Sequence, residues 1–305
     1  MYRVDRRNFL LALSAAMATP IAGFAAAKGK SLLSFSTLGC PKWDWKTILG
    51  NAAQWGFSGI ELRGIQAEMD LTQRPEFAPN RIQQSRAELR EKNLKITNLG
   101  SSARMHEPDP VVRAKQLDEG KRFIDLAQSL KAPYIRVFGD KYVEGEPKEK
   151  TIERIVAGLK ELGAHAKGSG VSVLIESHGD FPDSATLKRI LESVNLPNVA
   201  LLWDAHHTCV AGKETPADTY QAVGRQVRHV HLKDSVPKGT DRQYVLTGKG
   251  DVPVKETVRV LAQNGYKGYY NLEWEKTWIP ELEEPEIVFP QFAQVMKEYL
   301  AAVRS

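Results

Sequence analysis

Four short segments decide the fold: VSVLIESH (171–178), VALLWDAHH (199–207), VRHVHLKD (227–234) and YYNLEWE (269–275). Each is a run of apolar and β-branched residues that ends in ionisable ones, which is typical of a buried strand whose last residues reach a polar site. Four earlier segments have the same strand character: LLSFSTL (32–38), GIELRG (59–64), LKITNLG (94–100) and YIRVFGD (134–140). Longer segments with the period of amphipathic helices separate the eight strands.

The spacing of these strands predicts a closed barrel. Eight strands begin between Leu32 and Tyr269, so the repeat is about 34 residues, the length of one strand, one helix and their loops. Eight such units predict an α/β protein with a single (β/α)8 barrel over residues 28–305. An open doubly wound sheet is the alternative, but no glycine-rich phosphate loop follows the first strand.

The first 27 residues differ from the rest of the chain. Basic residues as far as Arg7 precede an apolar run from Phe9 to Ala27, and Ala25-Ala26-Ala27 offers a cleavage site of the A-x-A type. Arg6-Arg7-Asn8-Phe9-Leu10 resembles the twin-arginine motif of a Tat signal peptide. The sequence therefore predicts export by the Tat translocase to the periplasm, with no membrane anchor after cleavage, although an uncleaved segment would tether the protein.

Composition excludes several other classes of protein. The 305 residues are 42% hydrophobic and 26% charged with a formal net charge of +5, which is ordinary for a globular protein and not for a disordered one. The predicted leader carries three arginines and one aspartate, so the remainder has a net charge of +3. Basic and acidic residues are interspersed, so no nucleic-acid partner is expected, and a disulfide between Cys40 and Cys209 is not expected either.

Charged residues inside the predicted strands mark the functional site. Barrel strands are buried on both faces and should be apolar. Here, ionisable residues lie in the carboxyl-terminal half of the strands. In three of the strands, the alternation of side chains places these residues on the same face. These three sets are Glu176 with His178, His229 with His231 and Lys233, and Glu273 with Glu275.

Buried charges must neutralise one another or hold a cation. Glu176, Asp204, His231 and Glu273, one from each of four successive strands, could hold a divalent metal, and this set of oxygen and nitrogen ligands suits Mn, Mg, Co, Fe or Zn. The alternative is a metal-free network in which Arg63, Arg136 and Lys233 pair with the same acids. The convergence of three acids and one histidine from adjacent strands favours the metal.

At this level of detail the sequence resembles the sugar phosphate isomerase/epimerase family of xylose isomerase-like barrels, which includes D-tagatose and D-psicose 3-epimerases and inosose dehydratases. The motifs STLGCP (36–41), IESH (175–178), WDAHH (203–207), HVHLKD (229–234) and LTGKGDVP (246–253) carry the resemblance in order. The resemblance implies that Glu176, Asp204, His231 and Glu273 bind a divalent metal, often Mn, and that Glu176 and Glu273 act as acid/base carboxylates. It also implies that His207 contacts the sugar.

These residue types predict chemistry on an α-hydroxy ketone, a sugar or keto-sugar. A metal that holds the carbonyl and hydroxyl oxygens stabilises the enediolate formed when a carboxylate removes the proton between them. Return of the proton gives epimerisation or isomerisation, which is the leading expectation. Loss of a β-substituent would instead make the protein a lyase or hydratase on 3-keto-glycosides or inosose-like compounds, and a non-catalytic periplasmic sugar binder is a further alternative.

Several other residues are candidates for contact with the substrate. Arg136 and Lys233 could anchor substrate oxygens or a phosphate, unless they form ion pairs with Asp140 and Asp234 respectively. His178 could contact substrate or simply be hydrogen-bonded at the barrel mouth. His206 could replace His207, and Glu275 could replace Glu273, because parity is unreliable where a strand ends. Trp43 and Trp278 could stack on a sugar; the oligomeric state is left open and includes a homo-oligomer.

Overall fold

The computed structural model describes residues 32–304, and the predicted leader (1–27) lies outside them. Eight parallel strands close into a barrel, so the predicted (β/α)8 fold is confirmed. In order around the barrel these strands are β1 (Leu33–Ser36), β2 (Gly59–Leu62), β3 (Lys95–Arg104), β4 (Tyr134–Phe138), β5 (Ser172–Glu176), β6 (Val199–Asp204), β7 (Val227–Leu232) and β10 (Tyr270–Leu272). The last strand pairs with the first, Ser34 being in register with Asn271.

Helices cover the outside of the barrel. They are α1 (Trp45–Gln54), α2 (Ile82–Glu91), α3 (Pro110–Leu130), α4 (Lys148–His165), α5 (Ser184–Val194), α6 (Ala205–Val210), α7 (Pro216–Val223), α8 (Val254–Gln263) and α9 (Pro285–Arg304). Several begin at an aspartate whose carboxylate accepts hydrogen bonds from otherwise unpaired amides: Asp44 at α1, Asp109 at α3 and Asp183 at α5. No helix within residues 32–304 has the length and apolar character needed to cross a membrane.

Alternation along the strands separates two buried regions. The outward side chains pack against the helices in the main core, which includes Phe35, Trp203 and Trp274. Inside the barrel, Leu174, Ala200 and Leu202 form a separate small apolar cluster. The remaining inward positions toward the carboxyl ends of the strands are polar and buried, so the barrel positions a polar site above an apolar floor.

The hairpin that follows β7 was not predicted, since the predicted seventh strand ended at Asp234. It is formed by the antiparallel strands β8 (Asp234–Lys238) and β9 (Asp241–Val245) directly after β7. Asp234 holds the following loop, because its carboxylate accepts hydrogen bonds from the amides of Gly248 (2.8 Å) and Gly250 (2.9 Å). A side chain at residue 250 would lie 2.0 Å from the Asp234 carboxylate, so the glycine in the LTGKGDVP motif permits this close approach.

Candidate metal and catalytic site

Glu176, Asp204, His231 and Glu273 converge at the carboxyl ends of β5, β6, β7 and β10. One ligand atom from each lies within 4.8 Å of the others, and all four residues are buried. His231 is central, because its Nδ1 is 3.3 Å from Glu176 Oε1, 3.2 Å from Glu273 Oε1 and 4.0 Å from Asp204 Oδ2. The structure thus brings together the four residues that the sequence grouped.

The orientation of Asp204 follows from its place between a strand and a helix. It is the last residue of β6 and caps α6, so its Oδ1 accepts hydrogen bonds from the amides of His206 (2.9 Å) and His207 (3.1 Å). Its other oxygen, Oδ2, faces His231 and lies 2.9 Å from Lys233 Nζ. The WDAHH motif therefore ties one carboxylate oxygen to the helix and leaves the other available at the site.

His231 is oriented from below by Glu61, a residue with no role in the sequence-based site. Glu61 Oε2 accepts hydrogen bonds from His231 Nε2 (2.8 Å), His229 Nε2 (3.0 Å) and Asn98 Nδ2 (3.0 Å). A carboxylate only accepts, so Nε2 of His231 carries a proton, and Nδ1 of the same ring faces the other three ligands. The expected hydrogen bonding of His229 inside the barrel is also found.

The ionisation of Glu61 and that of His231 depend on each other. Burial opposes ionisation of Glu61, but the charge of His231 and the two histidine hydrogen bonds outweigh it and hold the pKa of Glu61 well below its ordinary value. Burial likewise opposes a charge on His231, yet Glu273, Glu61 and Glu176 raise the pKa of His231 well above its ordinary value. The cluster therefore favours a positive charge at the position of His231.

Arg136 and Lys233 pair with the site carboxylates. Arg136 Nε lies 3.1 Å from Glu176 Oε2, and Lys233 Nζ lies 2.5 Å from Glu273 Oε2 and 2.9 Å from Asp204 Oδ2. Each of the two glutamates thus has one oxygen beside a buried cation and the other beside His231 Nδ1.

The alternative partners considered from the sequence are wrong. Asp234 binds loop amides, and Asp140 lies 3.7 Å from Arg104 and from His106. The metal-free network considered from the sequence named these acids as partners of Arg136 and Lys233 but not which acid contacts which cation, because alternation along a strand assigns a face but not the residue that faces it from across the barrel.

The donor set fits a divalent cation. Glu176 Oε2 and Asp204 Oδ2 are matched by the ion pairs with Arg136 and Lys233, whereas His231 Nδ1 has no hydrogen-bond partner among the described residues, and buried polar atoms without partners are rare in folded proteins. Oxygen and imidazole nitrogen without thiolate are the ligands that Mn²⁺ and related ions accept. The ion pairs of Arg136 and Lys233 expected in the metal-free alternative exist, but within residues 32–304 that of Arg63 does not, and the four ligand atoms of the metal alternative converge beside them.

His207 and His178 form one wall of the site. His207 Nε2 lies 3.6 Å from Asp204 Oδ2, and the rings of His178 and His207 are 4.8 Å apart. His206 instead turns toward the hairpin, where its Nε2 is 2.8 Å from Ser235 Oγ. Burial lowers the pKa of His207 to about 3, followed by the charge of Lys233, so the ring facing the site is neutral at ordinary pH.

Glu275 and Tyr244 lie one layer above Glu273. Glu275 Oε1 is 2.8 Å from Lys233 Nζ and accepts a hydrogen bond of 3.4 Å from the Tyr244 hydroxyl. Burial raises the pKa of Glu275, in contrast to Glu273, whose pKa lies well below its ordinary value because His231 and Lys233 outweigh its burial. Of Glu273 and Glu275, Glu273 is therefore the one whose surroundings favour the ionised form, and it lies 3.2 Å from His231 Nδ1.

A cavity of about 280 Å³ opens above these residues. Its lining includes Glu176, His178, Glu273 and Trp278, and Trp278 is 55% exposed. Trp43, the other tryptophan expected to stack on a sugar, is buried with its ring 5.8 Å from those of Trp55 and Phe289. That expectation was wrong for Trp43, whose indole belongs to the core.

Comparison with known proteins agrees with this architecture. Fructoselysine 3-epimerase of Shigella flexneri is 24% identical over 233 residues, which cover 73% of this chain and 82% of that protein. An inosose dehydratase of Clostridium perfringens is 27% identical over 182 residues, which cover 54% of this chain and 58% of the relative. The chain therefore matches only a little over half the length of that dehydratase.

Solved structures show the same fold. The structure of an L-ribulose 3-epimerase matches with a TM-score of 0.74 at 14% identity, over 90% of this chain and 96% of that one. A D-psicose 3-epimerase from Clostridium cellulolyticum H10 matches with a TM-score of 0.71 at 18% identity, over 89% and 99%. Residues 49–298 match the family model described as xylose isomerase-like TIM barrel, and the chain belongs to that family.

Proposed function

We propose that the protein is a divalent-metal-dependent isomerase or epimerase of a sugar or keto-sugar. The observation that carries this proposal is the arrangement of Glu176 and Glu273 around one cavity. Each has one oxygen beside a buried cation, Arg136 or Lys233, and the other oxygen beside His231 Nδ1. The curated and structural relatives named as epimerases support the same class of reaction.

Glu176, Asp204, His231 and Glu273 would hold the metal. When bound, a divalent ion would polarise the substrate carbonyl and stabilise the negative charge that develops when the adjacent C–H proton is removed. The ligand types are compatible with Mn, Mg, Co, Fe and Zn. Among these metals we propose Mn.

The two glutamates would move the proton. Glu273 would accept it in its ionised form, which the charges of His231 and Lys233 favour. Glu176 and Glu273 come from β5 and β10, which are separated in the barrel by β6 and β7. Carboxylates on such different parts of the wall can face a bound substrate from two sides, as epimerisation requires. Arg136 and Lys233 would keep both side chains in place. The neutral His207, with His178 beside it, would donate hydrogen bonds to substrate hydroxyls.

Solvent exchange tests this proposal. Mn²⁺-loaded protein is incubated in D₂O with D-fructose, D-psicose, D-tagatose and L-ribulose, and deuterium at the carbon beside the carbonyl is followed by NMR. We expect exchange with at least one ketose, and a reduction of about 10² to 10⁴ in its rate in Glu273→Gln. Glu161→Gln is the matched control, because Glu161 also pairs with a lysine but is exposed. Absence of exchange with every ketose would contradict the proposal.

A second candidate is a dehydratase that uses the same residues, favoured by the inosose dehydratase relative. Its chemistry differs in the fate of the substrate after proton removal, since a β-hydroxyl leaves. Incubation with an inosose or a 3-keto-glycoside would then give an unsaturated product, detected by mass spectrometry as loss of water or of the aglycone.

We also propose that residues 1–27 direct Tat export to the periplasm. The adjacent Arg6 and Arg7 before the apolar segment support this. Replacement of both by lysine should retain the protein in the cytoplasm, whereas the native chain should be recovered from the periplasmic fraction. If the native chain and the variant were distributed equally between cytoplasm and periplasm, the Tat route would be excluded.

A further inference from the structure

Two buried guanidinium groups on the same side of the cavity differ in their partners. Arg136, on β4, is paired with Glu176 through Nε. Arg63, which follows β2, has no carboxylate within 4.0 Å among residues 32–304, although it is only 6% exposed. Arg63 therefore carries a buried positive charge that no carboxylate contacts directly, while the charges of Glu119, Glu273 and Glu176 act on it from farther away.

The donors of Arg63 are only partly used. Its Nη2 donates a hydrogen bond of 2.9 Å to Ser102 Oγ, while Nη1 is buried and has no partner. Burial, and then the repulsion of Arg136, lower the pKa of Arg63 to about 9, so the guanidinium remains charged at neutral pH in an unfavourable environment. A group that accepts from Nη1 would relieve both the missing hydrogen bond and the missing charge.

The barrel wall is shaped to keep the two guanidinium groups in this position. A Cβ at Gly100 would lie 2.6 Å from Arg63 Cδ and 3.0 Å from Arg136 Nη2. A larger residue at position 100 would displace both arginines, so the close approach depends on this glycine.

The missing anion does not come from the site carboxylates. Glu176 is held by Arg136 and Glu273 by Lys233, and both lie in the ligand set that faces His231. Arg63, Ser102 and Arg104 nevertheless line the same cavity as these glutamates. An anion beside Arg63 would therefore belong to the molecule that occupies the cavity.

We propose that Arg63 and Ser102, with Arg104 at the rim, form a subsite for an anionic group of the substrate, a carboxylate or a phosphate. A guanidinium binds either group through two parallel hydrogen bonds. This inference rests on the proposed function and narrows its substrate class from sugars in general to acidic ketoses.

Binding of three ketoses tests the subsite. D-fructose, D-fructuronate and D-fructose 6-phosphate are titrated calorimetrically into Mn²⁺-loaded protein at constant ionic strength. They share a ketose end and differ at C6, which is neutral, a carboxylate or a phosphate. We expect one of the acidic ketoses to bind at least tenfold tighter than D-fructose, and the preferred one identifies the anion. Equal affinity of the native protein for all three would overturn the inference.

Variants assign the preference to Arg63. Arg63→Gln should remove the tenfold advantage of the acidic ketose and change D-fructose affinity less than threefold, while Arg63→Lys should keep part of the advantage. Arg86→Gln, at a partly exposed arginine on α2, is the control and should bind as the native protein does. Equal weakening of neutral and acidic ketoses in Arg63→Gln would contradict the assignment.

Two further measurements distinguish a misfolded variant, a wrong subsite and a wrong reaction. Thermal melting establishes that each variant is folded, and the comparison among ligands in the native protein stands even if Arg63→Gln does not fold. Deuterium exchange into D-fructose reports on the proposed reaction independently. Exchange without an anionic preference would refute the subsite alone, and a preference without exchange from any ketose would refute the reaction alone.

Discussion

Replacement of Lys233 by methionine should destabilise the metal-free protein strongly. The Lys233 ammonium is 1% exposed and lies 2.5 Å from Glu273, 2.8 Å from Glu275 and 2.9 Å from Asp204. Methionine keeps much of the side-chain volume but leaves three carboxylates without their cation. Breaking a buried ion pair from one side costs about 3 to 5 kcal/mol, which for a chain of this size corresponds to a fall in Tm of about 6 to 20 °C.

An exposed pair with the same chemistry provides the control. Lys121 Nζ lies 2.7 Å from Glu161 Oε1, but the two side chains are 37% and 46% exposed. Lys121→Met should therefore cost only about 0 to 1 kcal/mol. The two variants share the substitution and nearly the same N–O distance, so their difference isolates the effect of burial.

The assay is thermal melting of both variants in EDTA and again with Mn²⁺. Because Asp204 and Glu273 belong to the candidate ligand set, Mn²⁺ should restore more of the lost Tm in Lys233→Met than it adds to the native protein. A Tm of metal-free Lys233→Met within about 2 °C of Lys121→Met would refute the reasoning from burial. Equal stabilisation of native and variant protein by Mn²⁺ would refute the shared role of the carboxylates.

Substitutions of Glu61, Gly100 and Gly50 test the contacts that hold the site and the barrel around it. Glu61→Gln should weaken Mn²⁺ binding by about 10- to 100-fold in calorimetry, because it weakens the anchor of His231 Nε2; unchanged affinity would contradict this. Since the folded pKa of Glu61 lies below its unfolded value, the residue stabilises the metal-free protein above its unfolded pKa, and that stability is lost as pH falls. The Tm of the native protein should thus decrease more steeply than that of Glu61→Gln from about pH 5 to about pH 3. Gly100→Ala should cost about 1 to 3 kcal/mol through overpacking against Arg63. Gly50→Ala in α1, where a Cβ meets nothing within 4 Å, should instead stabilise the protein by about 0.5 to 1 kcal/mol in the same melting experiment.

Sequence reasoning predicted the barrel because the hydrophobic runs and their spacing are local properties of the chain. It also grouped Glu176, Asp204, His231 and Glu273, because parallel strands bring their carboxyl ends to the same side of the barrel. The barrel and the grouping of the four residues can both be predicted from the periodic pattern of the sequence, and the structure places the four residues together.

Contacts across the barrel could not be predicted in the same way. The hydrogen bond between Glu61 and His231 joins residues 170 positions apart, and no period relates them. The hairpin over 234–245 was missed because it contains Pro237 and charged residues rather than a clear alternation. Trp43 lies beside a short loop but is buried by Phe289 of the last helix, a long-range contact that its local sequence does not indicate.

The anchoring of His231 by Glu61 has a consequence for the order of assembly. Glu61 lies on the second strand and the candidate ligands extend from Glu176 to Glu273, so an amino-terminal half of the chain contains the anchor without a single ligand. A carboxyl-terminal half would contain all four ligands with His231 unanchored. Full affinity for the proposed metal would therefore develop only after the two halves have met, and uptake of that ion would be a late step of maturation that reports a completed fold.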